Sequence, residues 1–118
     1  SVAEILSIAA GAEKGWEVFM RENCGYNRIT TFFSDFTIAD KFGLSAIEDT
    51  YNRAFNEWKD NIVYITELSL VLNWKIWSWY NVDDAKAKLY DELWRKVDTW
   101  CGENLEGEDA QYYFEMTD

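Results

Sequence analysis

The longest apolar stretch of the chain spans residues 62–80, IVYITELSLVLNWKIWSWY, and carries only two formal charges, Glu67 and Lys75. On a helix its apolar residues fall on two faces, because successive side chains are about 100° apart. A thin polar row separates the two faces and consists of Thr66, Ser69 and Asn73. A helix with two apolar faces must pack against at least two other elements. The pattern therefore predicts a central core helix whose Glu67, Lys75 and Ser78 face water.

The same stretch has the length of a membrane span, which takes about 20 residues. Two charges lie inside it, however, and the flanking residues are acids rather than Lys or Arg: Asp60 before it, and Asp83 and Asp84 after it. Charges at the centre of a membrane helix are costly, and flanking Lys and Arg are typical of real spans. The sequence therefore favours a core helix and no membrane association.

Apolar residues recur at helical spacing before the central stretch as well. Ser1 and Glu4 form a capping box for a first helix that ends near Asn23. The segment RITTFF predicts either a short extended piece or the N-cap, at Thr30, Thr31 or Ser34, of a short helix over residues 35–42 that Gly43 ends. Ser45 and Glu48 form a second capping box, for a helix that ends near Asp60.

After the central stretch, Asn81 or Asp83 can cap a helix with buried Ala85, Leu89, Leu93, Val97 and Trp100, which Gly102 ends. Asp91 and Arg95 have the spacing and order of a favourable helical ion pair. The final segment mixes acids with aromatic residues, and we expect it to form a short helix docked on the body.

The composition supports one helical domain. The chain has 118 residues, no proline and six glycines, with 48% hydrophobic and 18% aromatic residues. Without proline, long helices joined by short turns are favoured. We therefore predict a single all-α domain over residues 1–118, a compact bundle of four main helices plus one or two short ones around the helix of residues 62–80.

Charge and cysteines narrow the possible partners. The net charge is −11, and residues 97–118 contain seven acids and no base. Direct nucleic-acid binding is disfavoured, since it needs clustered Lys and Arg. Cys24 and Cys101 belong to no metal or redox motif, and we expect free thiols in a reducing compartment, although a disulfide between them stays open. The N-terminus lacks the basic region of a signal peptide, so we expect a cytoplasmic protein.

Catalytic chemistry has little support. The sequence contains no histidine, which excludes Ser-His-Asp and Cys-His sites and His-ligated metals. Its glycines are scattered singly, so no phosphate-binding loop is present. Adjacent acids point about 100° apart on a helix, and capping or a solvated face accounts for them. We expect no catalytic residue, no cofactor and no metal; an enzyme with a carboxylate site is the least favoured alternative.

Two features are candidates for partner binding. The first is the acidic end, with Glu103, Glu106, Glu108 and Asp109, for which a solubilising charge run is the alternative interpretation. The second is the aromatic cluster of Trp74, Trp77, Trp79 and Tyr80. Core packing is the favoured use for most of it, but four large rings are more than one small core readily hides, so Trp74, Trp77 and Tyr80 are the candidates for an interface. Thr66, Ser69, Asn73 and Glu67 form a third group, a possible polar pocket, but buried hydroxyls bonded to the preceding turn and an Asn bonded to a neighbouring helix are the favoured interpretation.

Five segments of the chain are similar to a known group of proteins: TTFFSDFTIADKFG, AIEDTYNRAFNEWKDN, ITELSLVLNWKIW, LYDELWRKVDTW and ENLEGEDAQYYF. Together, over roughly residues 30–118, they resemble small helical proteins encoded by gut bacteria, their phages and mobile elements. The resemblance carries no functional motif. It implies a mobile-element setting, in which small acidic inhibitors of host defence nucleases arise. The preferred hypothesis is thus an inhibitor whose carboxylates imitate a phosphate backbone; the alternative is a homodimeric accessory protein with a Trp-rich interface.

Overall fold

The structure, a computed structural model, describes residues 28–118, with side chains from residue 32 onward. The predicted first helix, from Ser1 to about Asn23, and Cys24 lie outside the described residues. Those that are described form five α-helices: α1 Arg28–Phe42, α2 Leu44–Trp58, α3 Ile62–Trp79, α4 Asp84–Asn104 and α5 Gly107–Thr117. The predicted all-α bundle is confirmed.

α3 is the central element, as its apolar sequence predicts. Every residue from Ile65 to Leu72 is buried, and α3 contacts each of the other four described helices. A helix surrounded in this way has no side on which a charge can reach water along its middle. The expectation that Glu67 and Lys75 face solvent is therefore wrong, since both are buried, whereas Ser78 is exposed as predicted. In the part of the chain that the structure describes, no helix has the length and apolarity required to cross a bilayer.

Side-chain caps define the starts of the two longest helices. Asn61 accepts a hydrogen bond from the backbone N–H of Tyr64 at 3.1 Å, at the start of α3. Asp83 accepts one from the N–H of Lys86 at 3.2 Å, at the start of α4. Of the two caps that the sequence left open for α4, Asp83 is therefore the one used. Asn81 instead takes a positive φ of 61° in the turn, a conformation that Asn tolerates better than most residues.

α1 is longer than predicted. It already includes Arg28, so both the extended piece and the start at residue 35 are wrong, and Thr30, Thr31 and Ser34 lie within the helix. The cause is an apolar stripe at helical spacing, since Phe32, Phe33, Phe36 and Ala39 are all buried. Aromatic and β-branched residues also suit strands, and here tertiary packing overrides that preference.

Gly43 forms the whole connection between α1 and α2. It is the N-cap residue of α2, with φ 113° and ψ −171°, and no side chain caps the helix. This backbone conformation is nearly restricted to glycine. The predicted capping box is therefore wrong, because α2 begins at Leu44 and Ser45 already lies inside it. The predicted stop at Gly102 is wrong as well, since α4 continues to Asn104.

α4 packs through a face slightly different from the predicted one. Leu93 and Val97 are buried as expected, but Tyr90 and Cys101 are the other buried residues. Ala85 is exposed, and Leu89 and Trp100 are only half-buried. Tyr90 is buried against Phe36 of α1, with ring centroids 5.9 Å apart. Cys101 is buried beside Tyr113 of α5, which is confirmed as a docked helix.

Three aromatic contacts show how the helices run relative to one another. Phe32 near the start of α1 and Trp58 at the end of α2 both contact Tyr64, with ring centroids 6.5 and 4.1 Å away. α1 and α2 are thus an antiparallel hairpin. The ring of Phe55 lies 5.5 Å from that of Trp100, which places the end of α2 beside the end of α4.

Candidate functional site

The four predicted carboxylates surround the turn between α4 and α5. Glu103 lies in the last turn of α4, Glu106 is the N-cap residue of α5, and Glu108 and Asp109 lie in its first turn. All four are exposed, and we call this set the acidic turn. Acids in the first turn of a helix are stabilised by the helix dipole, so α5 itself benefits from two of them.

The predicted aromatic set divides between core and surface. Trp74 is buried and packs against Phe33, with ring centroids 6.1 Å apart. Trp77 is 60% exposed, and its ring centroid lies 5.7 Å from that of Tyr80, which is also exposed. Val82, two residues further on, is exposed too. Trp77, Tyr80 and Val82 therefore form a small apolar patch at the α3–α4 turn, which we call the apolar end.

The acidic turn and the apolar end lie at opposite ends of α4. The apolar end precedes Asp84 and the acidic turn begins at Glu103, so most of this 21-residue helix separates them. At 1.5 Å per residue that distance is about 30 Å. The two predicted partner-binding sets are therefore two separate surfaces and not one site.

A buried polar cluster, which the sequence did not reveal, connects α1, α3 and α4. The carboxylate of Asp40 accepts a hydrogen bond from Lys75 Nζ at 2.9 Å and another from the hydroxyl of Tyr90 at 2.5 Å. Lys75 Nζ also donates to Thr37 Oγ1 at 3.1 Å, and Lys86 Nζ donates to the Asp40 carbonyl oxygen at 2.8 Å. We call these five residues the Asp40 cluster. No local pattern indicates it, because its members come from three different helices.

The chemistry of the Asp40 cluster is structural. Asp40 and Lys75 are both buried and form an ion pair with 2.9 Å between Nζ and Oδ2, so each offsets part of the cost of removing the other from water. Burial raises the pKa of Tyr90 far above its usual range, and the charge of Asp40 and the hydrogen bond to it add to the effect. The phenol therefore stays protonated. Each Asp40 carboxylate oxygen accepts a hydrogen bond from another helix, so this side chain joins α1 to α3 and α4.

Glu67 has no comparable partner. Its side chain is fully buried, and neither carboxyl oxygen has a hydrogen-bond partner among the described residues. Burial raises its pKa to about 9, so the carboxyl group is protonated at neutral pH. A buried carboxyl group is more stable in its neutral form when no cation among the described residues pairs with it, because the charged form would lose its hydration.

The remaining polar residues of α3 are used for packing. The Thr66 hydroxyl donates to the Ile62 carbonyl at 2.7 Å, as expected for a bond to the preceding turn. The Ser69 hydroxyl instead lies 3.0 Å from the hydroxyl of Tyr113, which donates to Asp98 at 3.0 Å. Both contacts join α5 to the body of the protein. Of the predicted row, Ser69 therefore helps to dock α5, and Asn73 is half-buried.

The buried thiol of Cys101 is not a reactive group. Burial raises its pKa to about 12, and a thiol in that state is a poor nucleophile and metal ligand. Over residues 28–118, no group of His, Cys, Asp and Glu side chains could hold a metal ion.

No protein-family model matches the chain, and no match was found among curated proteins or among solved structures. The fold and its surfaces define an all-α helical protein with two separate exposed patches of opposite character.

Proposed function

We propose that this chain is a non-enzymatic binding protein whose acidic turn docks on a basic surface of a partner protein. In the most concrete form, the partner is a nucleic-acid-binding protein of the bacterial host that the sequence resemblance indicates. The observation that carries the proposal is the exposure of Glu103, Glu106, Glu108 and Asp109 around a single turn. Residues 97–118 contain no base, and the four acids are exposed.

The acidic turn suits this role because two helix ends hold its carboxylates. A groove that binds phosphates selects negative charge, and the helix ends fix the backbone positions from which these carboxylates project. Complementary charges also steer the approach of the two proteins, so association is fast and weakens as salt is added.

Neutralising part of the acidic turn tests the proposal. We expect the chain to capture a nucleic-acid-binding protein from a host lysate. The capture should be lost when Glu103, Glu106 and Glu108 are all changed to Gln. Asp109 is kept so that α5 retains an acid in its first turn. The matched control neutralises three exposed acids elsewhere, Glu48→Gln, Asp84→Asn and Glu92→Gln, and should still capture the partner. In about 1 M salt, where the Debye length is about 3 Å, capture should fail for all forms.

Two results would count against the proposal. One is capture that depends equally on either set of acids, which would indicate a general charge effect. The other is recovery of no nucleic-acid-binding protein, or of one that stays bound in high salt. Direct competition between the chain and a DNA or RNA duplex for the purified partner completes the test, because a mimic must displace the nucleic acid.

A second candidate function, self-association, is favoured by the exposed side chains of the apolar end. Two copies that pair through Trp77, Tyr80 and Val82 would keep their acidic turns far apart, since each lies about 30 Å from this patch, beyond a Debye length of about 10 Å. We expect a homodimer whose mass, measured by light scattering at two concentrations, rises with concentration. Trp77→Ser with Val82→Ser should abolish the dimer, and Leu44→Ser, at another exposed apolar residue, should not. A monomer at both concentrations would exclude this function.

A further inference from the structure

The helix α5 buries little of its own surface. Of its 11 residues, Tyr113 is buried, and the others are half-buried or exposed. Two residues, Leu105 and Glu106, connect it to α4, and Glu106 caps it without a side-chain hydrogen bond. A helix of this length is marginally stable in water on its own. α5 therefore depends on docking in order to stay helical.

Tyr113 anchors α5 to two other helices. Its hydroxyl lies 3.0 Å from Ser69 Oγ on α3 and donates a hydrogen bond to Asp98 Oδ1 on α4, also at 3.0 Å. The side chain is fully buried, and a buried hydroxyl that loses its partners is costly. A single side chain therefore ties α5 to both α3 and α4.

Charge acts against this anchor. Residues 97–118, which include the end of α4 and all of α5, contain seven acids and no base. Repulsion among these acids is a cost of folding α5 back onto α4. Glu115 adds to that cost because it lies in the last turn of α5, where the helix dipole disfavours a negative charge. The docked state of α5 is thus a balance between one anchor and an opposing charge.

A buried thiol lies under α5. Cys101 of α4 is fully buried, and it lies beside Tyr113. A reagent in solution reaches this thiol only after a neighbouring element has moved away. The rate at which Cys101 is labelled therefore measures how often α5 opens.

We infer that α5 is a latch, a helix that undocks while α1 to α4 stay folded, and that Tyr113 holds it closed. Elements with few buried contacts open in this way, at a lower free energy than the whole domain. Opening separates Glu108 and Asp109 from Glu103, so the acidic turn is assembled only in the closed form. The latch is a property of the fold and does not rest on the proposed function.

Thiol labelling of the full chain tests the inference. The sequence contains two cysteines, so Cys24→Ser leaves Cys101 as the single thiol. The reagent is uncharged N-ethylmaleimide, and mass spectrometry follows the adduct at constant pH. Tyr113→Phe removes both hydrogen bonds and should raise the labelling rate at least about tenfold. Ser69→Ala removes one of the two partners and should raise the rate by a smaller factor.

Two further measurements separate the latch from unfolding of the whole domain. Low urea concentrations should hardly change the labelling rate, because opening of α5 exposes little surface. Glu115→Gln with Asp118→Asn removes acids from the end of α5 that the helix dipole disfavours, and should slow labelling about threefold. The matched control, Glu48→Gln with Asp84→Asn, removes the same charge from exposed positions on other helices and should label at the parent rate.

Three outcomes would overturn the inference. The first is a labelling rate that rises steeply with low urea, since Cys101 would then be reached only by unfolding of the whole domain. The second is an equal rate for the parent chain and for Tyr113→Phe, when circular dichroism shows that both are folded. The third uses the parent chain alone: amide hydrogen exchange as slow in α5 as in α3 would show that α5 does not open by itself.

Discussion

Asp40→Asn is expected to lower the free energy of unfolding by about 3–5 kcal/mol, because it leaves the buried ammonium group of Lys75 without its counter-charge. Asp40 also accepts the hydrogen bond of Tyr90, so the change affects three helices at once. Lys75→Met should be costly for the converse reason. The double variant Asp40→Asn, Lys75→Met should cost clearly less than the sum of the two single changes, since no uncompensated charge remains. Urea unfolding of the four forms measures this coupling.

An exposed ion pair of the same length is the control. Arg95 Nε lies 2.9 Å from Asp91 Oδ2, the same distance as Lys75 Nζ from Asp40 Oδ2, but on the exposed side of α4. Asp91→Asn should cost less than about 1 kcal/mol, because water screens both charges. Similar losses for Asp40→Asn and Asp91→Asn would show that the Asp40 cluster is hydrated in solution and does not hold α1, α3 and α4 together.

The sequence predicts elements whose cause is local. The apolar run of α3, the cap at Asp83 and the pair of Asp91 and Arg95 follow from spacing, and the structure contains all three. Lys75 and Glu67 were misplaced for a physical reason. A helix that is apolar almost all round is buried almost all round, so its few charged residues are enclosed as well. The prediction that Glu67 and Lys75 face water required an exposed side along the middle of α3, and α3 has no such side.

The surfaces were predictable only in part. Glu103 and its acidic neighbours could be named from the sequence, because residues 97–118 contain seven acids and no base. Their separation from Trp77 and Tyr80 already follows from the predicted helix, because a helix from Asp83 to Gly102 is about 30 Å long. The Asp40 cluster depends on a contact between residues 40 and 75, and one sequence contains no signal for such a long-range pair.

Glu67→Gln and Glu67→Leu are both expected to stabilise the protein above neutral pH. The folded state raises the pKa of Glu67 from 4.5 to about 9. The stability that the protonated Glu67 contributes is therefore fully present below its unfolded pKa of 4.5 and is lost as the pH rises through its folded pKa of about 9. The loss is up to about 1.4 kcal/mol per pH unit. Neither Gln nor Leu titrates. Between pH 6 and pH 8 the advantage of Glu67→Gln over the parent chain should grow by up to about 3 kcal/mol.

The pH dependence of this advantage separates two explanations for a stabilising change. Glu67→Leu also removes two oxygens that lack partners among residues 28–118, a gain of about 1–3 kcal/mol that is present at every pH. Chemical denaturation at pH 5, 6.5 and 8 resolves both parts, with Glu92→Gln on the exposed face of α4 as the control that should change little. A constant difference between the parent chain and Glu67→Gln across this range would mean that Glu67 titrates alike in the folded and unfolded states. In that case water or another part of the chain solvates the carboxylate, and the middle of α3 is not the dry core that its burial indicates.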